Sequence, residues 1–456
     1  MRLGRYIALA GAGTAAAAAA WIAALGPPSA PGTTAAGPVA AGPAAAIAGP
    51  AAAIAAPSVI MRIGPALAQP TGGFTPAQIQ RAYNLGPLLK QGINGAGQTI
   101  AIIDPFGSPT IRHDLTVFDA QFGLGTSLKI IQPAGKVSKL LPTVLSREWA
   151  AETTLDVEWA HVMAPAARIL LVETPATATE SNRQFAAPII KAARYVINHQ
   201  LAGVISQSLD ITEQALAGKR ALVKLSSVYR DARRMHVTIV AATGDEGATN
   251  FARDGSSLYL RRVVAWPASD PLVTAVGGTS LHLDASGART VPDRVWSAGN
   301  LAGGGGRSAD FGRPGYQGRL TAIVGARRGV PDIAMSAGCS PGVDVYESFK
   351  GLPAGWSQAC GTSEAAPLLA GIIALADQQA GHPLGLINPA LYQMAAAHQP
   401  GIVDITKGNN TVTFSQGGRL HTVLGFPART GYDLASGLGS VNGAAFVPEL
   451  AKLAGG

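Results

Sequence analysis

The sequence predicts an α/β protein built on a parallel sheet with helices on both faces. Three observations carry this. Short apolar runs recur at residues 98–104 (QTIAIID), 168–173 (RILLVE), 203–208 (GVISQS), 237–242 (VTIVAA) and 272–276 (LVTAV). Runs of this length, apolar without alternation, suit strands buried on both faces. Helical patterns fall between them, at 150–162, 184–198 and 214–234, and strands that alternate with helices imply parallel pairing through βαβ units. Charge is scarce: of 456 residues 14% are charged and 47% apolar, against a usual charged share of roughly 25%.

The elements follow in chain order. Residues 1–72 hold no Asp, Glu or Lys, and their only charges are Arg2, Arg5 and Arg62. A basic start before the apolar run 6–25 has the form of a secretory signal, and its length also suits a membrane span. Residues 1–28 are therefore read as a signal peptide or an N-terminal anchor, which places the protein in the cell envelope or outside the cell. Residues 29–72 are rich in Ala, Pro and Gly, offer little bulk to pack, and read as a flexible tail. The folded unit is expected at 73–456. The run 98–104 follows Gly-Ala-Gly, a turn before a strand. In 150–162, Leu155 and Trp159 stand four apart, as on one helix face. Residues 363–379 (SEAAPLLAGIIALADQQ) form a small, apolar helix whose only charge before Asp377 is Glu364. It is expected to be buried, with Pro367 near the first turn, where its missing N–H does least harm.

Composition excludes several classes. Gly 56 and Pro 31 rule out a coiled coil, and the punctuated apolar runs argue against a polytopic membrane protein. Two cysteines cannot make a disulfide-dense scaffold or a four-cysteine zinc site. The net charge is +8, but basic clusters are few (230–236, Arg261-Arg262, Arg327-Arg328), so no nucleic-acid partner is expected. Outside the reducing cytoplasm, Cys339 and Cys360 can bridge; a bridge and two inert thiols both stay open. The glycine run 303–306 lacks the Lys of a phosphate loop.

Two clusters could carry chemistry. Glu152 and Asp156 are spaced i, i+4, which puts both carboxylates on one helix face. So close, they tend to share a proton, as general acid–base pairs do; a solvated helix face is the alternative. In Cys360-Gly361-Thr362-Ser363-Glu364, a serine stands where a glycine turn enters a helix. Its hydroxyl can be exposed there, and the helix N-terminus favours developing negative charge; a plain N-cap is the alternative.

The order of several short motifs resembles the sedolisin (S53, serine-carboxyl) peptidases over about residues 74–447. These are Thr75-Pro76, Ala82-Tyr83-Asn84, Gly95-Ala96-Gly97-Gln98, Glu152-x-x-Leu155-Asp156, Ala164-Pro165, Gly244-Asp245-x-Gly247, Trp266-Pro267-Ala268, Val276-Gly277-Gly278-Thr279, Gly304-Gly305-Gly306-x-Ser308, Val330-Pro331-Asp332 and Gly361-Thr362-Ser363. The resemblance implies a subtilisin-like fold and an endopeptidase acting on polypeptides at acidic pH. Ser363 would be the nucleophile, Glu152 the general base, Asp156 its orienting partner and Asp245 the oxyanion partner. Asp104 would extend the carboxylate chain, or else cap a strand end. The subtilisins proper need a His in an H-G-T-type motif, and none of the eight His here sits in one. A C-terminal segment would bind one structural Ca²⁺ through the Asp404 and Asp433 carboxylates and the carbonyls of Ile405, Arg429 and Gly431, an all-oxygen set that suits the ion. In the family the glycine run borders the substrate cleft; a flexible surface turn is the other reading. Two departures stand out. Only a short tail occupies the place of a large folded prosegment, and the stretch 206–210 (SQSLD) lacks the Trp often found there. The reading from another functional class is an inactive peptide-binding protein of the cell envelope.

Overall fold

The structure is a computed structural model that describes residues 5–8, 56–57, 60–67, 69–137, 143–176, 182–216, 218–352 and 354–455. The signal and anchor readings rest mainly on residues 9–28, outside the described residues. Among the described residues no helix is long and apolar enough to cross a membrane.

The elements used below are, in chain order, β1 (Arg5–Ala8), β2 (Ile60–Leu67), β3 (Thr99–Pro105), α1 (Ile111–Phe122), β4 (Leu128–Ile131), α2 (Val144–Met163), β5 (Arg168–Thr174), α3 (Asn182–Asn198), β6 (Val204–Gln207), β7 (Leu209–Thr212), α4 (Ser227–Arg234), β8 (Thr238–Ala242), β9 (Thr274–Ser280), β10 (Ile333–Ser336), β11 (Val343–Glu347), β12 (Gly355–Cys360), α5 (Thr362–Ala380) and α6 (Gly443–Ala454). The central sheet runs β4-β5-β3-β6-β8-β9-β10 with each of these neighbours parallel, and Arg294–Val295 adds a short antiparallel strand on β9. Successive residues of β3 serve its two faces, as the period of two requires. Ile100 and Ile102 join the core formed with α1, α2, α5 and α6, while Ala101 and Ile103 join the core under α3 and α4.

Helix α2 begins at Thr143, whose hydroxyl accepts from the Ser146 N–H at 3.2 Å. It is longer than the predicted 150–162 and, apart from the half-buried Arg147, is buried along its described length. Helix α5 lies against it with residues 362–377 buried. The two backbones meet at Gly371. A Cβ there would collide with Met163 Cβ and lie 3.0 Å from the Ala160 carbonyl oxygen, so only glycine lets the helices approach this closely.

Three expectations are corrected. The predicted helix 214–234 is a 3₁₀ turn, Glu213–Ala215, followed by Lys219–Leu225 and α4. The two helices part at Ser226, whose hydroxyl lies within donating reach of both the Leu222 carbonyl and the Asp270 carboxylate; back-bonding of this kind bends helices. Pro367 is the sixth residue of α5, beyond the first turn, so the carbonyl of Ser363 four residues earlier loses its usual helical donor. The tail expected through residue 72 is not wholly without structure. β2 pairs antiparallel with β12, and Ala56–Pro57 pairs antiparallel with Leu209–Asp210 of β7. The open backbone edge of β12 gives β2 its N–H and C=O partners, and β7 gives partners to Ala56–Pro57. The resulting sheet runs β1-β2-β12-β11.

Candidate active site

Glu152 and Asp156 stand one turn apart on α2, and both are fully buried. The solvated-face alternative is thereby removed. Ser363 is the second residue of α5 and is buried too. The α2–α5 contact brings the three together. Asp104 comes from the end of β3, paired in register with Glu173 of β5, and adds its charge to both α2 carboxyls.

Burial dominates the electrostatics. It pushes Glu152 well above the usual carboxylate range, and the neighbouring Asp156 and Asp104 push it further. The Ser363 hydroxyl opposes that rise by proximity, although Ser363 Oγ makes no aligned hydrogen bond in this arrangement. Catalytic hydrogen bonds are often loose without substrate. Asp156 is raised by burial and then by Asp104, and the Ser208 hydroxyl opposes by donating to Asp156 Oδ1 at 2.8 Å. Asp104 is pushed up to about 7 by burial, opposed by the Thr153 hydroxyl. Carboxyls this close and this dry cannot all ionise, so the group titrates as a unit that retains protons in acid.

Asp245 follows β8 and is held by Thr362, the residue before the serine. The Thr362 N–H and hydroxyl each donate to Asp245 Oδ1 at 2.8 Å. The same hydroxyl accepts from the Gly244 N–H at 3.1 Å. Asp245 Oδ2 is left buried and without a hydrogen-bond partner. Burial raises Asp245 well above the usual range, with Asp210 adding to the rise. A protonated Asp245 thus has one oxygen anchored and the other able to donate.

The glycine run 303–306 is buried, and is no flexible surface turn. The Ala302 N–H donates to the Asp245 carbonyl at 2.9 Å and the Gly304 N–H to the Gly244 carbonyl at 2.8 Å. A Cβ on Gly304 would strike the Thr243 carbonyl oxygen, so the run is glycine because it braces the Asp245 loop backbone to backbone. The two cysteines are bridged, with Cα atoms 5.1 Å apart, and fasten the end of β12 three residues before Ser363. Thr362 and Ser208 were not singled out from sequence as site residues. Thr362 had a signal, its place beside the serine in the Gly-Thr-Ser turn; Ser208 had none beyond the missing Trp.

Asp404 and Asp433 converge on the loop 429–431. Asp404 Oδ2 accepts from the Gly431 N–H and Asp433 Oδ2 from the Arg429 N–H, both at 2.9 Å. Asp433 Oδ1 accepts from the N–H groups of Ala435 and Ser436, each at 2.8 Å. Ile405 is buried beside Val295 and Ala435. Neither carboxylate forms an ion pair among the described residues. Nor, among those residues, do three His, Cys, Asp or Glu side chains gather as a metal site.

A parallel α/β sheet carrying a buried serine against paired carboxyls defines a serine-carboxyl architecture. Known proteins show the same fold and family. A model of the subtilase family (Peptidase_S8) matches residues 149–417. Kumamolisin of Bacillus sp. (strain MN-32) is 31% identical over 382 residues, covering 82% of this chain and 62% of that protein. Tripeptidyl-peptidase 1 of Dictyostelium discoideum is 29% identical over 367 residues, 76% of this chain and 53% of that protein. Sedolisin of Pseudomonas sp. (strain 101) is 29% identical over 260 residues, 56% of this chain and 42% of that protein. The solved Pseudomonas sedolisin, a serine-carboxyl proteinase complexed with two molecules of pseudo-iodotyrostatin, superposes with a TM-score of 0.67 at 24% identity, over 82% of this chain and 97% of that one. The chain belongs to the subtilase family, in its sedolisin (S53, serine-carboxyl peptidase) branch, and its fold is the subtilisin-like α/β fold. It spans 62% or less of the length of these three relatives.

The buried acids make stability depend on pH. Burial pushes Asp104 up to about 7 and Glu148, Glu347 and Glu364 up to about 8, from ordinary values of 3.8 for Asp and 4.5 for Glu. Between those limits the folded chain holds more protons than the unfolded one, so stability is full in acid and falls as pH rises through the folded values. Denaturant midpoints should drop steadily from about pH 4 to about pH 8; a midpoint that rises over this range would contradict the assignment.

Proposed function

We propose that the protein is an exported serine-carboxyl endopeptidase that hydrolyses peptide bonds through an acyl-enzyme in acid. The observation that carries this is the buried Ser363–Glu152–Asp156 cluster facing Asp245, whose one oxygen is anchored and the other free. Glu152 takes the Ser363 proton as the hydroxyl attacks the scissile carbonyl, and later returns it to the leaving amine. Asp156 holds Glu152 by sharing the pair's proton. Asp245, protonated, donates from Oδ2 to the oxyanion, a contact made only as negative charge develops. Burial holds Asp245 well above the usual carboxylate range and so keeps that proton in acid; the donor is lost once pH rises past its raised value, and activity is lost with it. The relatives' names, sedolisin and tripeptidyl-peptidase among them, support peptide substrates. The Cys339–Cys360 bridge supports export, because disulfides persist outside reducing compartments.

The cleft suits an extended peptide. Pro57 pairs with Leu209, beside Ser208, and Ile60 pairs with Cys360, three residues before Ser363. Backbone of residues 56–57 and of residues 60–67 thus pairs as added strands beside Ser208 and beside Cys360, a common mode of peptide recognition. N-terminal sequencing after acid incubation should find a cut N-terminal to residue 74 in the parent chain and none in Ser363→Ala.

We also propose one structural Ca²⁺ held by the Asp404 and Asp433 carboxylates and the carbonyls of Ile405, Arg429 and Gly431. The donor set is hard oxygen, and among the described residues no cationic side chain pairs with the buried Asp433 carboxylate. Bound there, the ion would supply that charge and tie the 404 and 429–433 segments together. A chelator should lower the melting temperature, with recovery on adding Ca²⁺; an unchanged melting temperature would dismiss the ion.

The central test is cleavage of peptides from about pH 3 to about pH 8. Cleavage should peak in acid, and Ser363→Ala or Glu152→Gln should reduce it by at least ~10³-fold. Failure of the folded parent chain to cleave at any pH would leave a peptide-binding protein instead.

A further inference from the structure

Ser208 stands between the carboxyl that orients the base and the backbone of the nucleophile. Its hydroxyl lies 2.8 Å from Asp156 Oδ1 and 3.4 Å from the Ser363 carbonyl oxygen. That carbonyl is the one Pro367 cannot serve, because proline has no N–H to give to the residue four earlier. Ser208 is itself fully buried. A hydroxyl carries one proton and can accept through its lone pairs, so it can give its proton to only one of these two oxygens at a time.

We propose that Ser208 is a positioning residue, a hydroxyl rotor that couples the protonation of Asp156 to the backbone of Ser363. The inference rests on the serine-carboxyl reading above. With Asp156 ionised, Ser208 donates to Oδ1, the shorter and charge-assisted bond. The Ser363 carbonyl then has no donor from this side. With Asp156 protonated, the carboxyl O–H donates to Ser208 Oγ, and the Ser208 proton turns to the Ser363 carbonyl. The backbone at the nucleophile is then fixed. No covalent bond changes; one proton rotates about the Ser208 Cβ–Oγ bond. The groups facing Asp156 are acids or hydroxyls from each element packed on it. These are Asp104 from β3, Ser208 itself and Glu152 one turn back on α2, with the Ser363 hydroxyl beside Glu152 and Asp245 and Glu364 one step further out. None of these carboxyls forms an ion pair among the described residues, so the hydroxyl's orientation follows the shared proton and no fixed positive charge.

The test compares Ser208→Ala with Ser208→Thr in the full chain. Loss of the donor destabilises ionised Asp156, so the acid limb of the kcat/KM profile should move to higher pH by roughly 0.5–1 unit. Ser208→Thr keeps the hydroxyl and should restore the limb. A merely structural role would lower the rate or the melting temperature in Ser208→Ala without moving the limb, and that result overturns the proposal. A readout independent of cleavage is the ¹³C NMR titration of the Asp carboxyl carbons, assigned with Asp156→Asn. The Asp156 midpoint should rise in Ser208→Ala and return in Ser208→Thr. If the parent chain cleaves nothing, the peptidase reading fails while this titration still decides the rotor; an Asp156 midpoint that ignores residue 208 rejects it.

Discussion

The close crossing of α2 and α5 is the constraint on which the site depends. α2 brings Glu152 and Asp156, α5 brings Ser363, and the two helices are held together at Gly371, where any side chain would meet Met163 and Ala160. Helix axes pack 8–10 Å apart depending on the residues at the contact, and the absence of a side chain sets the short end of that range. A helix pair pushed apart by one methyl group would still be a helix pair. It would no longer hold a hydroxyl against a carboxyl, because hydrogen bonding fails over a fraction of an ångström.

The acids of this site are held by neutral donors. Thr362 holds Asp245, Ser208 holds Asp156, and the Ser363 hydroxyl lies beside Glu152. Elsewhere the protein does use a buried cation: Arg328 pairs with Asp332, both fully buried, and Tyr392 donates to the same carboxylate at 2.8 Å. The difference is physical. A fixed positive charge pins a carboxyl in its ionised form, whereas an O–H or N–H donor orients it and leaves its protonation free to follow the medium. A site whose chemistry moves protons between carboxyls needs the second arrangement.

Much of the scaffold was legible in the sequence because its signals are local. Runs of β-branched and apolar residues become buried strands wherever they lie, and the strands at 98–104, 168–173, 203–208 and 237–242 appear within a residue or two of those bounds. The i, i+4 spacing of Glu152 and Asp156 likewise guarantees a shared helix face. The parting of the helices at Ser226 was not legible, since it depends on Asp270, 44 residues away. Nor was the strand at 60–67, whose partner β12 lies far along the chain and offers an open edge that composition does not reveal.

The sequence by itself determined the elements, the paired carboxylates on one helix and the serine at a glycine turn, because each is set by neighbours along the chain. Only the tertiary structure decided that the carboxylate face is dry, that Asp245 keeps one oxygen free, and that the glycine run is a brace. Desolvation, hydrogen-bond partnership and backbone approach are properties of surroundings assembled from distant segments. Ser208 shows the limit most plainly. Its role arises from a carboxyl 52 residues earlier and a carbonyl 155 residues later, and its own neighbours in sequence carry no trace of either.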